Sequence, residues 1–136
     1  MQGERADAAV ALQAARVLQA QGPALVVVHF PEGCVAATAE GHGLHQPSLQ
    51  VPPEAVQGSN GAGDAFTAGL LLALHEGLAL EDGLRLAACA SASALRSLSA
   101  TGAVGTRDEC LSLAVSWGWR PAVVVCRGEN GVVSAQ

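Results

Sequence analysis

Apolar and polar positions alternate along this chain with periods that change several times, and the changes mark its elements. Between Asp7 and Gln21, Val10, Ala14, Val17 and Leu18 recur at helical spacing, and Gly22-Pro23 supplies a stop, so a helix is expected there. Ala24 to Val28 is a short unbroken apolar run rich in β-branched residues, the pattern of a central strand covered on both faces. Pro31-Glu32-Gly33 reads as a turn leading into Cys34 to Ala39, and the polar stretch Glu40 to Gln46 reads as a loop or hairpin tip. Ser48 to Val51 is expected to be another short strand, broken by Pro52-Pro53. After a glycine-rich turn at Gly58 to Gly63 the period becomes helical. Phe66, Leu70, Leu71 and Leu74 share one side of a helix from Asp64 to His75, with Gly77 placed to end it.

A second helix follows from Glu81 to about Leu98, marked by Leu84, Ala87, Ala88, Ser91, Leu95 and Leu98, and its many Ala and Ser side chains permit close packing. Thr106-Arg107-Asp108-Glu109 has the form of a capping box and opens a third helix through Trp117. Ala122 to Cys126 and Val132 to Ser134 flank Asn130-Gly131, which predicts a terminal hairpin. No internal repeat or low-complexity linker is read along the chain.

Composition narrows the class. At 136 residues the chain fits one domain. Half of it is hydrophobic but only 3% is aromatic, so the core is built from Ala, Leu and Val, as suits helices packed on a sheet. A net charge of -5 offers no clustered cations for polyanion phosphates, which excludes a nucleic-acid footprint. Cys34, Cys89, Cys110 and Cys126 are widely spaced, matching neither a zinc site nor a disulfide framework, and read as reduced core residues. Charged residues at Glu4, Arg5 and Asp7 stand where a secretory leader needs apolar ones, and no run is long enough to span a bilayer, so a cytoplasmic protein without membrane partners is expected.

The segment that points to chemistry is Ser59-Asn60-Gly61-Ala62-Gly63-Asp64, small residues feeding straight into an apolar-striped helix. The first N–H groups of a helix lack internal partners and carry its positive dipole end, so phosphate is their natural guest. Gly61 and Gly63 let backbone approach a phosphoryl group closely. Asp64, in the first turn, is placed to take a proton from an alcohol attacking that phosphoryl group. Glycine turns also precede ordinary helices, and an aspartate there also merely favours the dipole.

The longer match separates these readings. Gly61-Ala62-Gly63-Asp64, with Ser59 in place of a threonine and Ala68-Gly69-Leu70-Leu71 behind, resembles the second signature of the ribokinase/PfkB carbohydrate kinases. Leu74-His75-Glu76-Gly77, the Ala-rich helix and Thr101-Gly102-Ala103 extend the resemblance over about residues 7 to 117. The resemblance implies an α/β, ribokinase-like three-layer α/β/α fold, present only as its C-terminal half. Residues 1–120 would be that nucleotide-binding and catalytic-loop part, and 121–136 a divergent tail. It implies a carbohydrate kinase, a transferase phosphorylating a sugar or sugar-like hydroxyl from ATP. Asp64 would be the general base, with Gly61, Ala62 and Gly63 the anion hole. Magnesium would be held largely through nucleotide phosphates.

Departures from the pattern temper this. Gly58 stands at the signature's first aspartate, associated in many members with a monovalent cation, which puts that ion in doubt. The sugar-contacting part of such kinases has no counterpart in this sequence, so the partners implied are ATP, a sugar, and either a missing N-terminal half or further copies of the chain. The alternative is a non-catalytic nucleotide-binding remnant, and a weaker one is a purely structural α/β domain. His42 and His45 read as solvated loop histidines rather than metal ligands, since no third ligand is evident. Trp117 and Trp119 read as covering core edges.

Overall fold

A computed structural model describes residues 7–98, 104–121 and 132–134. They form two compact units, one running through Pro47 and joined by the described tail residues, the other spanning Ser48–Arg120.

The first unit opens with α1 (Ala8–Gln19). Asp7 starts it, its carboxylate accepting the Ala9 N–H at 2.9 Å. The helix is where its spacing predicts, but its inward face differs. Ala8, Leu12 and Ala15 are buried with Val35 and Ala37 of the sheet, while Val10 and Val17 remain 65% and 58% exposed. Two alanines flanking one leucine let the helix axis come close to the strands, which a row of valines would not.

Strands β1 (Leu25–Phe30), β2 (Gly33–Thr38) and β3 (Gly43–Pro47) make an antiparallel meander, and β4 (Val132–Ser134) adds in parallel beyond β3, in the order β1-β2-β3-β4. The expected central strand is therefore at the edge of the described sheet, and β2 and β3 are the buried ones. The stretch expected to be a loop narrows to a turn tied by Thr38, whose N–H donates to the His42 carbonyl and whose hydroxyl accepts the His42 N–H. Strand β3 then begins at Gly43. Hydropathy missed it because it buries His45 and Gln46 rather than apolar side chains. Of the strand expected at Ser48 to Val51, only a bridge between Leu49 and Trp119 forms. The Val132–Ser134 strand is present; the expected Ala122 to Cys126 strand and Asn130-Gly131 turn lie outside the described residues, as do Cys126 and Thr101-Gly102-Ala103.

The second unit holds a 3-10 turn at Pro53–Ala55 and helices α2 (Ala62–His75), α3 (Leu80–Ala94) and α4 (Arg107–Trp117). Helix α2 ends as its sequence predicts, with Gly77 at φ 74° and the Leu78 N–H bonded to the Ala73 carbonyl. Helix α3 stops at Ala94, short of the expected Leu98. Small residues join the pair: a Cβ on Gly69 would lie 3.1 Å from the Ala87 Cα, and one on Gly83 3.2 Å from the Ala73 Cβ. The capping box of α4 is formed in both directions between Thr106 and Glu109. Cys110 is buried with Cys89 in the core of this unit, and Trp117 and Trp119 pack at its margin as their sequence context suggests.

Candidate functional site

Helix α2 starts from Gly61, which sits in the left-handed region at φ 82° and provides no side-chain cap. A residue with a Cβ would be strained there, so glycine is what allows the chain to turn this sharply into the helix. The Ala65 N–H closes the first helical ring on the Gly61 carbonyl at 2.9 Å, and the Ala62 N–H reaches Ser59 at 3.4 Å. The N–H groups of Gly63 and Asp64 find no acceptor among the described residues. Two backbone donors at the positive end of a 14-residue helix are thus left open.

Asp64 is exposed, and with Gly61 it lines an open cleft of about 540 Å³. The cleft follows one face of α2 through Ala65, Ala68, Gly69 and Leu72, and is walled opposite by Leu86 and Ala90 of α3 and by Val104, Gly105, Arg107 and Cys110. Asp64 and Arg107 are its two charged lining residues. Arg107 is held by an ion pair to Glu76 at 2.5 Å, both side chains 41% exposed. Ala62 and Gly63, half-buried, lie between Gly61 and Asp64 in the chain without lining the cleft themselves. The sequence-derived group therefore stays together at one helix start, with its carboxylate turned to open space. Arg107 and the apolar wall were not singled out from the sequence; the capping box fixed where α4 begins, and only packing brings that start opposite α2.

No group of three or more His, Cys, Asp or Glu side chains that could hold a metal occurs among the described residues. His42 is exposed and His45 is 1% exposed within β3, so the two are not a solvated loop pair. Burial alone pulls the His45 imidazole below its ordinary range, and its Nδ1 is buried without a hydrogen-bond partner. At Gly58, a Cβ would meet the Leu98 side chain and the Ser97 carbonyl oxygen at 3.4 Å. No helix among the described residues is long and apolar enough to cross a membrane.

Comparison with known proteins gives this arrangement a context. The family model of pfkB family carbohydrate kinases matches residues 1–106. No curated protein matches the chain. Among solved structures, Arabidopsis thaliana ribokinase complexed with ribose and ATP is similar at 28% identity and TM-score 0.65, over 74% of this chain and 32% of that one. Burkholderia thailandensis nucleoside kinase in complex with inosine is similar at 25% identity and TM-score 0.63, over 75% and 33%. Escherichia coli phosphofructokinase-2 in complex with potassium is similar at 24% and 0.62, over 76% and 32%. The fold is thus ribokinase-like, and the chain spans about a third of the length of the structures it matches.

Proposed function

The chain belongs to the pfkB family of carbohydrate kinases, and from that premise we propose that it is the C-terminal, phosphoryl-handling part of an ATP-dependent kinase acting on a hydroxyl of a sugar or nucleoside. In this reading Asp64 is the general base: its carboxylate takes the proton of the acceptor hydroxyl as that oxygen attacks the terminal phosphoryl of ATP. The anion hole is the backbone of Gly61, Ala62 and Gly63 together with the first-turn amides of α2, whose donors face developing charge on the phosphoryl oxygens. The observation that carries this is the placement of Asp64, exposed on the wall of a cleft beside the uncapped start of α2.

Magnesium fits this reading only as a companion of the nucleotide, because Asp64 is the one carboxylate lining the cleft. When bound it would supply positive charge to the phosphates. A monovalent cation fits less well, since Gly58 offers no side chain where the family signature has a carboxylate. A cytoplasmic site of action accompanies a small-molecule kinase dependent on ATP.

A second reading, a nucleotide-binding remnant without turnover, is favoured by Gly58, which leaves the family signature without its first carboxylate. Titration of the intact chain with ATP and magnesium, with ribose or inosine as acceptor and ADP release as readout, separates the two. We expect Asp64→Asn to lower turnover by about 10²- to 10⁴-fold while nucleotide affinity and melting temperature stay unchanged. Full turnover in Asp64→Asn removes the base assignment, and ATP binding without turnover in the parent chain selects the remnant.

A further inference from the structure

Helix α1 is apolar on two opposite sides, and the sheet covers one of them. At about 100° per residue, Ala8, Leu12 and Ala15 fall within about 60° of one another and meet Val35 and Ala37. Val10, Ala14, Val17 and Leu18 form a second stripe about 100° wide on the far side. That stripe is open: Val10, Val17 and Leu18 are 65%, 58% and 50% exposed, and Ala14 is exposed with them. A helix with one buried face sets charged and polar residues opposite it, whereas apolar residues on both sides are the pattern of a helix covered twice.

Charge narrows what can cover it. Between Asp7 and Glu32, Arg16 is the only Lys, Arg, Asp or Glu, and it turns toward the sheet. Its Nη2 is buried and would lie 2.9 Å from a Cβ built on Gly43. The open stripe is therefore uncharged, and nothing on it repels a copy of itself. Its order is symmetric too. Val10 and Leu18 stand four residues either side of Ala14 on one ridge, with the small side chain in the middle, where crossing helix axes come closest. Parallel copies would bring two Asp7 carboxylates and two positive helix ends together. Antiparallel copies set each Asp7 beside the uncharged end at Gln19 to Gln21, with the helix dipoles opposed.

We propose that this stripe is a self-association surface, through which two copies of the chain pair by antiparallel α1 helices about a two-fold axis at Ala14. Val10 of one copy then packs against Leu18 of the other, and because the contact is isologous each such pair occurs twice. The helix has 12 residues, a length of about 18 Å. One pair of helices that short buries less than the roughly 1,200–2,000 Å² of stable complexes, so the dimer is weak and concentration-dependent, with a dissociation constant of micromolar order or weaker. The stripe belongs to the first compact unit and the Asp64 cleft to the second, so the surface stands apart from the kinase reading.

Sedimentation of the intact chain over a concentration series should show a monomer–dimer equilibrium. Leu18→Lys should raise the dissociation constant by about 10- to 100-fold, because a half-exposed leucine is lost at two places in the interface. Its melting temperature in dilute solution should match the parent's, since the side chain faces away from the sheet. Ala14→Cys treated with glutathione disulfide should give a covalent dimer joined at position 14, two thiols being oxidised as one glutathione disulfide is reduced. Val10→Cys should link to Leu18→Cys in a mixture and not to itself; peptide mass mapping under non-reducing conditions identifies the linked positions. A chain that stays monomeric at high concentration overturns the proposal, whether the stripe is then open to a thiol reagent at Ala14→Cys or shielded by the chain's own residues. So does a dimer that Leu18→Lys leaves intact, a dimer in which Ala14→Cys fails to link, or Val10→Cys chains that link to each other as readily as to Leu18→Cys.

Discussion

Gly69 is a point of close approach between α2 and α3, and enlarging it tests the packing that forms one wall of the cleft. An added Cβ would lie 3.1 Å from the Ala87 Cα and 3.2 Å from the Ala90 Cβ. Comfortable carbon contacts are about 3.5 to 4.0 Å, so the helices must part by roughly half an ångström. Neither obstructing atom is the end of a flexible side chain. Overpacking of this kind costs about 1–3 kcal/mol, and alanine returns up to about 1 kcal/mol of helix propensity over glycine. Gly69→Ala is therefore expected to destabilise by about 0–2 kcal/mol, and Gly69→Val, with two more methyl groups and a poorer helix former, by about 3 kcal/mol. Ala68→Val adds similar volume one position earlier on the exposed cleft wall and should stay within about 0.5 kcal/mol. Urea unfolding of the intact chain followed by circular dichroism measures all three. Equal midpoints for Gly69→Val and the parent, or equal losses for Gly69→Val and Ala68→Val, would refute the packing argument.

Three further expectations concern other parts of the molecule. Thr106→Ala removes the oxygen that accepts the Glu109 N–H and should cost about 1 kcal/mol, read as a lowered urea midpoint; an unchanged midpoint contradicts the capping box. The thiols of Cys34 and Cys89 are pushed up to about 12 by burial, against 9.0 ordinarily, so the stability they contribute is whole below pH about 9 and lost as pH rises toward 12. His45 is shifted the other way, so stability present above pH about 6.5 should fall as the solution is acidified below it. Melting temperature against pH should show a plateau between those limits, and a profile level from pH about 5 to 11 would contradict both assignments. Lastly, potassium should not raise the melting temperature more than choline at equal ionic strength, because Gly58 supplies no carboxylate; a potassium-specific rise would restore the ion.

How far the sequence was legible depended on whether a residue's role is local. Helices α1, α2 and α4 were readable because their caps are sequence-adjacent: Asp7, Gly77 and the Thr106/Glu109 pair act within a few residues of themselves. The start of α2 was readable for the same reason, since open amides after Gly61 follow from helix geometry. Burial was not. Val10 and Val17 outrank Leu12 in number, yet the thin alanine face is the one that meets the sheet. Strand β3 was invisible because His45 and Gln46 carry it, and a hydropathy pattern cannot anticipate polar side chains enclosed by neighbouring strands. The apolar wall of the cleft depends on how three helices assemble, and Arg107, which lines it, pairs with Glu76, 31 residues away in sequence.

On the phosphate-binding role proposed for this turn, the absent side-chain cap at Gly61 would make occupancy and local order a single variable for α2. A helix start sealed by its own oxygen atom is stable when empty, but that oxygen competes with any guest for the same amides. An unsealed start gives up some firmness in the empty chain and regains it when a phosphate arrives. Variants selected only for thermal robustness at this turn would therefore tend to blunt anion capture.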